Sequence, residues 1–172
     1  MSERLPLATA RPLAERIVDA IRPHCRRVEV AGSIRRGRAF VGDIDLVCIP
    51  AGLDGRQAIL ERCSRTARIV KNGEQYVVFA LSTGFQLDLW FAHEGTADLL
   101  APDPSNWGVL LLARTGSAMH NVFVAEEARN KHLHFNPHRG LLRGREVIAS
   151  VEEEQIFATL GLDWIPPERR ER

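Results

Sequence analysis

Leu13, Ile17 and Ile21, with Val18 between them, recur at helical spacing and predict an amphipathic helix from about Thr9 to Arg22, in whose first turn Pro12 is tolerable. Val28 and Val30 then alternate with polar neighbours, which predicts a short strand ending at Gly32, and Ile44 to Ile49 predicts a second, largely buried strand. A helix follows over about Gly55 to Arg65. From Ala67 to Ala92 the pattern is three strands broken at Asn72-Gly73, a hairpin signal, and at Thr83-Gly84. In the last of these strands Phe85, Leu87, Leu89 and Phe91 form one apolar face, while Gln86, Asp88 and Trp90 occupy the other.

Two prolines within Ala101-Pro102-Asp103-Pro104 interrupt the pattern, so the domain boundary is expected there, with one domain over 1–101 and a second over 102–172. Beyond it, Trp107 to Leu112 and Ala118 to Lys131 predict two helices separated by Thr115-Gly116-Ser117. Leu133 to Phe135 and Leu141-Leu142 predict hairpin strands around Asn136-Pro137, and Glu152, Glu153 and Glu154 open a last short helix at whose positive end their charges are favourable. The expected class is α+β, a mixed sheet backed by helices followed by a small helical domain carrying a β-hairpin.

Composition narrows this picture. The chain has 172 residues, of which 45% are hydrophobic and 26% charged, enough for one core or two small ones and incompatible with disorder, collagen-like or coiled-coil readings. No apolar run approaches the roughly 20 residues that span a bilayer, and Met1 to Leu13 lacks the apolar stretch of a signal peptide. Cys25, Cys48 and Cys63 are odd in number and form no CxxC pair, which favours reduced thiols; a cytoplasmic monomer without membrane contact is the expectation. Net charge is only +1, but residues 1–42 hold nine Arg and four acids, so the positive field is local. Nucleic-acid binding, if present, would be local and strongly salt-dependent.

Three features fit one chemistry: Gly32-Ser33-Ile34-Arg35-Arg36-Gly37 after a strand, Asp43-Ile44-Asp45 opening the next strand, and Asp88 on the polar face of a later one. Residues i and i+2 of a strand project from one face, so Asp43 and Asp45 stand close enough to ligate a pair of ions roughly 3.5–4 Å apart, and Asp88 can complete a three-carboxylate cluster. Adjacent carboxylates repel, and a hard divalent cation with oxygen ligands is the usual remedy; two Mg²⁺ ions, replaceable by Mn²⁺, are expected. The Gly32-Ser33 turn aims backbone N–H groups and a hydroxyl at an anion that Arg36 can reinforce. Taken singly, an Asp-x-Asp is more often a strand end meeting solvent, a Gly-Ser a turn and an Arg pair surface; their conjunction carries the inference. Histidines 132, 134 and 138 suggest solvent or phosphate contact sooner than a metal site, since no fourth ligand is evident.

These residues resemble the nucleotidyltransferases of DNA polymerase family X. Gly32-Ser33-x-Arg35-Arg36-Gly37 followed by Gly42-Asp43-Ile44-Asp45 is similar to the family's palm signature. Thr115-Gly116-Ser117 with His120-Asn121 is similar to the opening of its thumb, closest to bacterial members, and Glu154 to Arg169 to its C-terminal ending. The resemblance implies that Asp43, Asp45 and Asp88 ligate the metals, with Asp88 near a primer 3′-hydroxyl. It implies that Gly32, Ser33, Arg36 and Gly42 hold the triphosphate, which Arg4 reaches, and that Gly116, Ser117 and Asn121 meet the incoming nucleotide, with a cis peptide at Gly116-Ser117.

The implied activity is DNA-directed DNA polymerisation from dNTPs on gapped or primer-template DNA, as in short-gap repair. The layout is similar to that of the minimal viral members, and no lyase activity is expected, because the palm signature begins so near Met1. The chain departs from the family pattern at Ala113-Arg114, where an aromatic pair is usual, at Ala125 for a thumb arginine, and at Gln86 for an arginine before the third aspartate. Those departures keep two alternatives in view: a template-independent terminal transferase or other nucleotidyltransferase, and a non-catalytic nucleotide- or DNA-binding module.

Overall fold

The computed structural model describes residues 4–96 and 103–171. Its architecture is α+β, and it divides into two compact units, Met1–Ala92 and His93–Arg172. The boundary expected between residues 101 and 102 lies outside the described residues.

In unit 1 the order is β1 (Leu5–Pro6), α1 (Leu7–Ile21), β2 (Cys25–Val30), α2 (Gly32–Arg35), β3 (Phe40–Val41), β4 (Asp43–Pro50), α3 (Gly55–Ser64), β5 (Ala67–Asn72), β6 (Tyr76–Leu81) and β7 (Gln86–Phe91). Five strands form one sheet in the order β2-β4-β7-β6-β5, all antiparallel except the central β4–β7 pair. The short β1 and β3 make a separate ribbon that pairs Leu5 with Val41, an association that two-residue strands could not announce in the sequence.

Alternation decides which side of the sheet is dry. Ile44, Leu46 and Cys48 of β4, Leu87 and Leu89 of β7, and Val77 and Phe79 of β6 are all buried in the core with α1 and α3. Each such side chain contributes about 1.5–3 kcal/mol on burial. The residues between them, including Asp43, Asp45, Asp88 and Trp90, fall on the other face.

Helix α1 meets the core over a wider arc than the expected face, with Leu13 and Ile17 packed at its margin. Ala10, Ala14, Val18 and Ile21 are its buried residues, whereas Leu13 and Ile17 are only half-buried. Alanine lets a helix approach a sheet closely, so the small-residue stripe is the one buried completely, with the larger side chains packing beside it.

Unit 2 contains β8 (Gly95–Thr96), β9 (Asp103–Pro104), α4 (Trp107–Thr115), α5 (Ala118–Asn130), β10 (His134–Asn136), β11 (Gly140–Arg143), β12 (Glu146–Ala149) and α6 (Glu153–Thr159). Helix α4 runs to Thr115, three residues past the expected end at Leu112, because Gly116 with φ of 70° is the first residue to leave the helical region. The expected hairpin is a three-stranded meander: Gly144, with φ of 61°, turns the chain between two arginines whose charge hides the last strand from a hydrophobicity pattern. Gly108 has a packing reason, since a Cβ there would collide with the Glu152 backbone.

The glutamates that open α6 also differ from expectation. Glu152 is the N-cap, and Glu153 turns inward to a buried ion pair with Arg170, Nη1–Oε1 2.7 Å and Nη2–Oε2 3.2 Å. All three cysteines are free thiols. No helix among the described residues is long and apolar enough to cross a membrane.

Candidate active site

Parallel pairing of β4 with β7 sets Asp45 directly opposite Asp88 and Asp43 opposite Gln86. Paired residues of neighbouring strands share a face, so all three aspartates stand on the side of the sheet away from α1 and α3. Two strands distant in sequence thereby deliver acids to one surface. None of the three is deeply buried. Gln86 Nε2 donates to Asp88 Oδ1 at 2.6 Å, which orients that carboxylate along its own strand.

Above β4, the end of β2 turns into α2. Ala31 N–H donates to the Asp45 carbonyl at 2.8 Å, and Gly32 follows with φ of 59°. A Cβ on Gly32 would collide with the Asp45 carboxylate, so glycine is required twice over: by backbone sign and by the close approach of the acid. The Ser33 hydroxyl is buried without a hydrogen-bond partner. A buried hydroxyl in that condition loses roughly 1–3 kcal/mol, a cost that a ligand oxygen would remove. Arg11, which sequence reasoning did not single out, donates from Nη2 to the Ile34 carbonyl at 3.0 Å and ties α1 to α2.

Burial pushes the Asp43 carboxyl up from its usual range, and the Arg36 guanidinium opposes that shift. Arg36 therefore exerts its charge on the acid end of the site, where a phosphate would also feel it. A Cβ on Gly42 would meet open space, so packing does not demand glycine there and the backbone is approachable. Arg4 is exposed and immediately precedes the Leu5–Val41 pair, which carries the chain to the start of β4 beside Gly42.

The expected three-carboxylate cluster is realised in strand placement but not in side-chain convergence. Among the described residues, no three His, Cys, Asp or Glu side chains are gathered as a metal site. Asp88 is engaged by Gln86, and the Asp45 carboxylate lies against Gly32. The donors nevertheless suit hard divalent cations in kind: three carboxylates on one sheet face, beside an unsatisfied hydroxyl. Histidines 132, 134 and 138 form no such group among the described residues either.

The remaining predicted residues lie in unit 2. The Gly116–Ser117 peptide bond is cis. Ser117 caps α5, its Oγ accepting from His120 N–H at 3.3 Å and donating to the Arg170 carbonyl at 2.8 Å. Asn121 donates from Nδ2 to the Ala113 carbonyl at 2.8 Å, while its Oδ1 is buried without a hydrogen-bond partner; with Ala125 and Phe135 the residue lines a hollow of about 340 Å³. Arg170 was invisible to sequence reasoning: its guanidinium is held by Glu153 and by the Ile165 carbonyl, and its own carbonyl receives Ser117. The nearest signal was a basic tail, which reads as solvated surface.

Residues 110–171 match the family model of the DNA polymerase beta thumb. Over 98% of its length the chain is 25% identical to the DNA polymerase/3′-5′ exonuclease PolX of Bacillus subtilis (strain 168). The chain spans 29% of that relative's length.

Proposed function

From the premise that this is a family X polymerase-like protein, we propose that it transfers a nucleotide from a dNTP to a primer 3′-hydroxyl on gapped or primer-template DNA, as in short-gap repair. The single observation that carries the proposal is the Asp45–Asp88 register pair, with Asp43 on the same face and the Gly32-Ser33 turn against Asp45.

In this reading the Ser33 hydroxyl, the Gly32–Ser33 backbone N–H groups, the Gly42 backbone and Arg36 receive the β and γ phosphates, and Arg4 approaches them from the Leu5–Val41 ribbon. Asp43, Asp45 and Asp88 would hold two Mg²⁺ ions. Bound there, such ions neutralise the triphosphate and make the attacking hydroxyl more acidic. Asp88, oriented by Gln86, accepts the proton of the 3′-hydroxyl as the O3′–Pα bond forms and the bond from Pα to the pyrophosphate oxygen breaks. Gly116, Ser117 and Asn121 are assigned to the incoming nucleotide, whose polar edge would satisfy Asn121 Oδ1.

Primer extension tests the reading. Asp88→Asn is expected to lower extension by at least about a thousandfold, equivalent to roughly 4 kcal/mol of transition-state stabilisation, with circular dichroism unchanged. Full activity in that variant would end the proposal. A second reading, extension without a template, draws on Ala125, whose small side chain leaves the hollow beside Asn121 open. Equal incorporation of all four dNTPs, irrespective of the template base, would favour it.

A further inference from the structure

Helix α1 buries one apolar stripe fully in the core, and a second packs against that core while keeping part of its surface open. Ala10, Ala14, Val18 and Ile21 are buried, which leaves Leu13, Ile17 and Ala20 half-buried along the adjacent stripe. With Leu81 from the end of β6, they line a groove of about 270 Å³ within unit 1, on the side of the sheet that α1 and α3 cover. The carboxylates lie on the opposite face, so the groove is separate from the proposed reaction.

Its polar character is one-signed. Arg16, from α1 itself, and Arg62, from α3, line the groove, and no acid does. Among the described residues neither guanidinium has an ion-pair partner, although Arg62 lowers the pKa of the Cys63 thiol against the stronger effect of burial.

An apolar trough beside two cations is complementary to a side chain that is apolar at its centre and acidic at its flanks. We propose that this groove docks a short linear segment of a partner protein in which one or two large aliphatic or aromatic residues are bracketed by Asp or Glu. The apolar residues fill the trough along α1, and the flanking carboxylates meet Arg16 and Arg62. Nucleic acid is the poorer occupant, because Leu13, Ile17, Ala20 and Leu81 make much of the lining hydrocarbon, and the donors of Thr66, Ser82, Thr83 and the two arginines leave that apolar surface unmatched by a phosphate backbone.

The test begins with selection of random dodecapeptides displayed on phage against the full chain, followed by fluorescence anisotropy of the enriched peptides. The expected enrichment is an aliphatic or aromatic pair flanked by acids. Affinity should fall at least about tenfold in an Arg16→Glu/Arg62→Glu double variant, by like-charge opposition, and independently in Ala20→Trp, which fills the trough. Both changes are at incompletely buried positions, so circular dichroism and melting should match the parent chain. The proposal is overturned if no acidic-apolar motif is enriched, or if the enriched peptides bind both folded variants as well as the parent. Displacement of the peptides by a 20-nucleotide single strand, or by vesicles of phosphatidylcholine and phosphatidylglycerol, would equally overturn it by revealing a phosphate-binding surface.

Discussion

Replacing Arg170 should be among the most damaging single changes in unit 2, and the reason is desolvation. The Arg170 and Glu153 side chains are 0% and 4% exposed, joined by two hydrogen bonds in a fork. Arg170 also donates from Nε to the Ile165 carbonyl at 2.8 Å and lies over the rings of Phe157 and Trp164. Arg170→Met keeps much of the hydrocarbon but strands a carboxylate inside the unit. Losing one partner of a buried pair costs about 3–5 kcal/mol, because the survivor keeps its desolvation penalty without the attraction that offset it. At a slope of about 2 kcal/mol per molar urea, that is a midpoint shift on the order of 2 M.

The assay is urea unfolding followed by tryptophan fluorescence, to which Trp107 and Trp164 report from unit 2. A double-mutant cycle makes the test sharp. Glu153→Leu alone should cost about as much as Arg170→Met, whereas the two together should lie much closer to the parent, because an apolar pair leaves no stranded charge. An Arg170→Met variant within about 1 kcal/mol of the parent, or a double variant equal to the sum of the singles, would refute the reasoning.

Two further outcomes follow from the carboxylate face. Gly32→Ala should reduce stability by about 1–3 kcal/mol in chemical denaturation, since it forces an L residue to positive φ and drives a methyl group into Asp45; a neutral result would mean the α2 turn is freer than described. For Asp43, burial raises the folded-state pKa above the unfolded value, so its contribution favours folding below the unfolded pKa and is lost as pH rises through the folded one. Asp43→Asn without added metal should therefore be at least as stable as the parent at pH 7, with the advantage gone near pH 3; thermal melts at both values check this, and a less stable variant at pH 7 would contradict it.

Local signals carried much of the architecture. Period-two alternation in Phe85 to Phe91 identified β7 and assigned Asp88 to the face opposite the core, because a strand's side-chain period is a property of the backbone alone. The turn at Gly32 and the helix break at Gly116 were legible for the same reason: positive φ selects glycine locally. The resemblance of the Gly-Ser turn and the Asp-x-Asp pair to a known signature was a matter of short spacings, which a single strand and turn preserve.

Tertiary structure decided what depends on partners far along the chain. That Asp45 faces Asp88, more than forty residues away, is a fact of parallel register, which no local pattern encodes. Helix α1 packs both stripes on the core, and the approach of the sheet decides that Ala10 and Ala14 lose all their solvent while Leu13 and Ile17 keep part of theirs. Glu153 and Arg170 are ordinary surface residues by type, and only packing around α6 removed their water and made them a pair. Sequence determines what each short segment prefers; which distant segments meet, and which side chains lose solvent when they do, is settled by the packing of the whole unit.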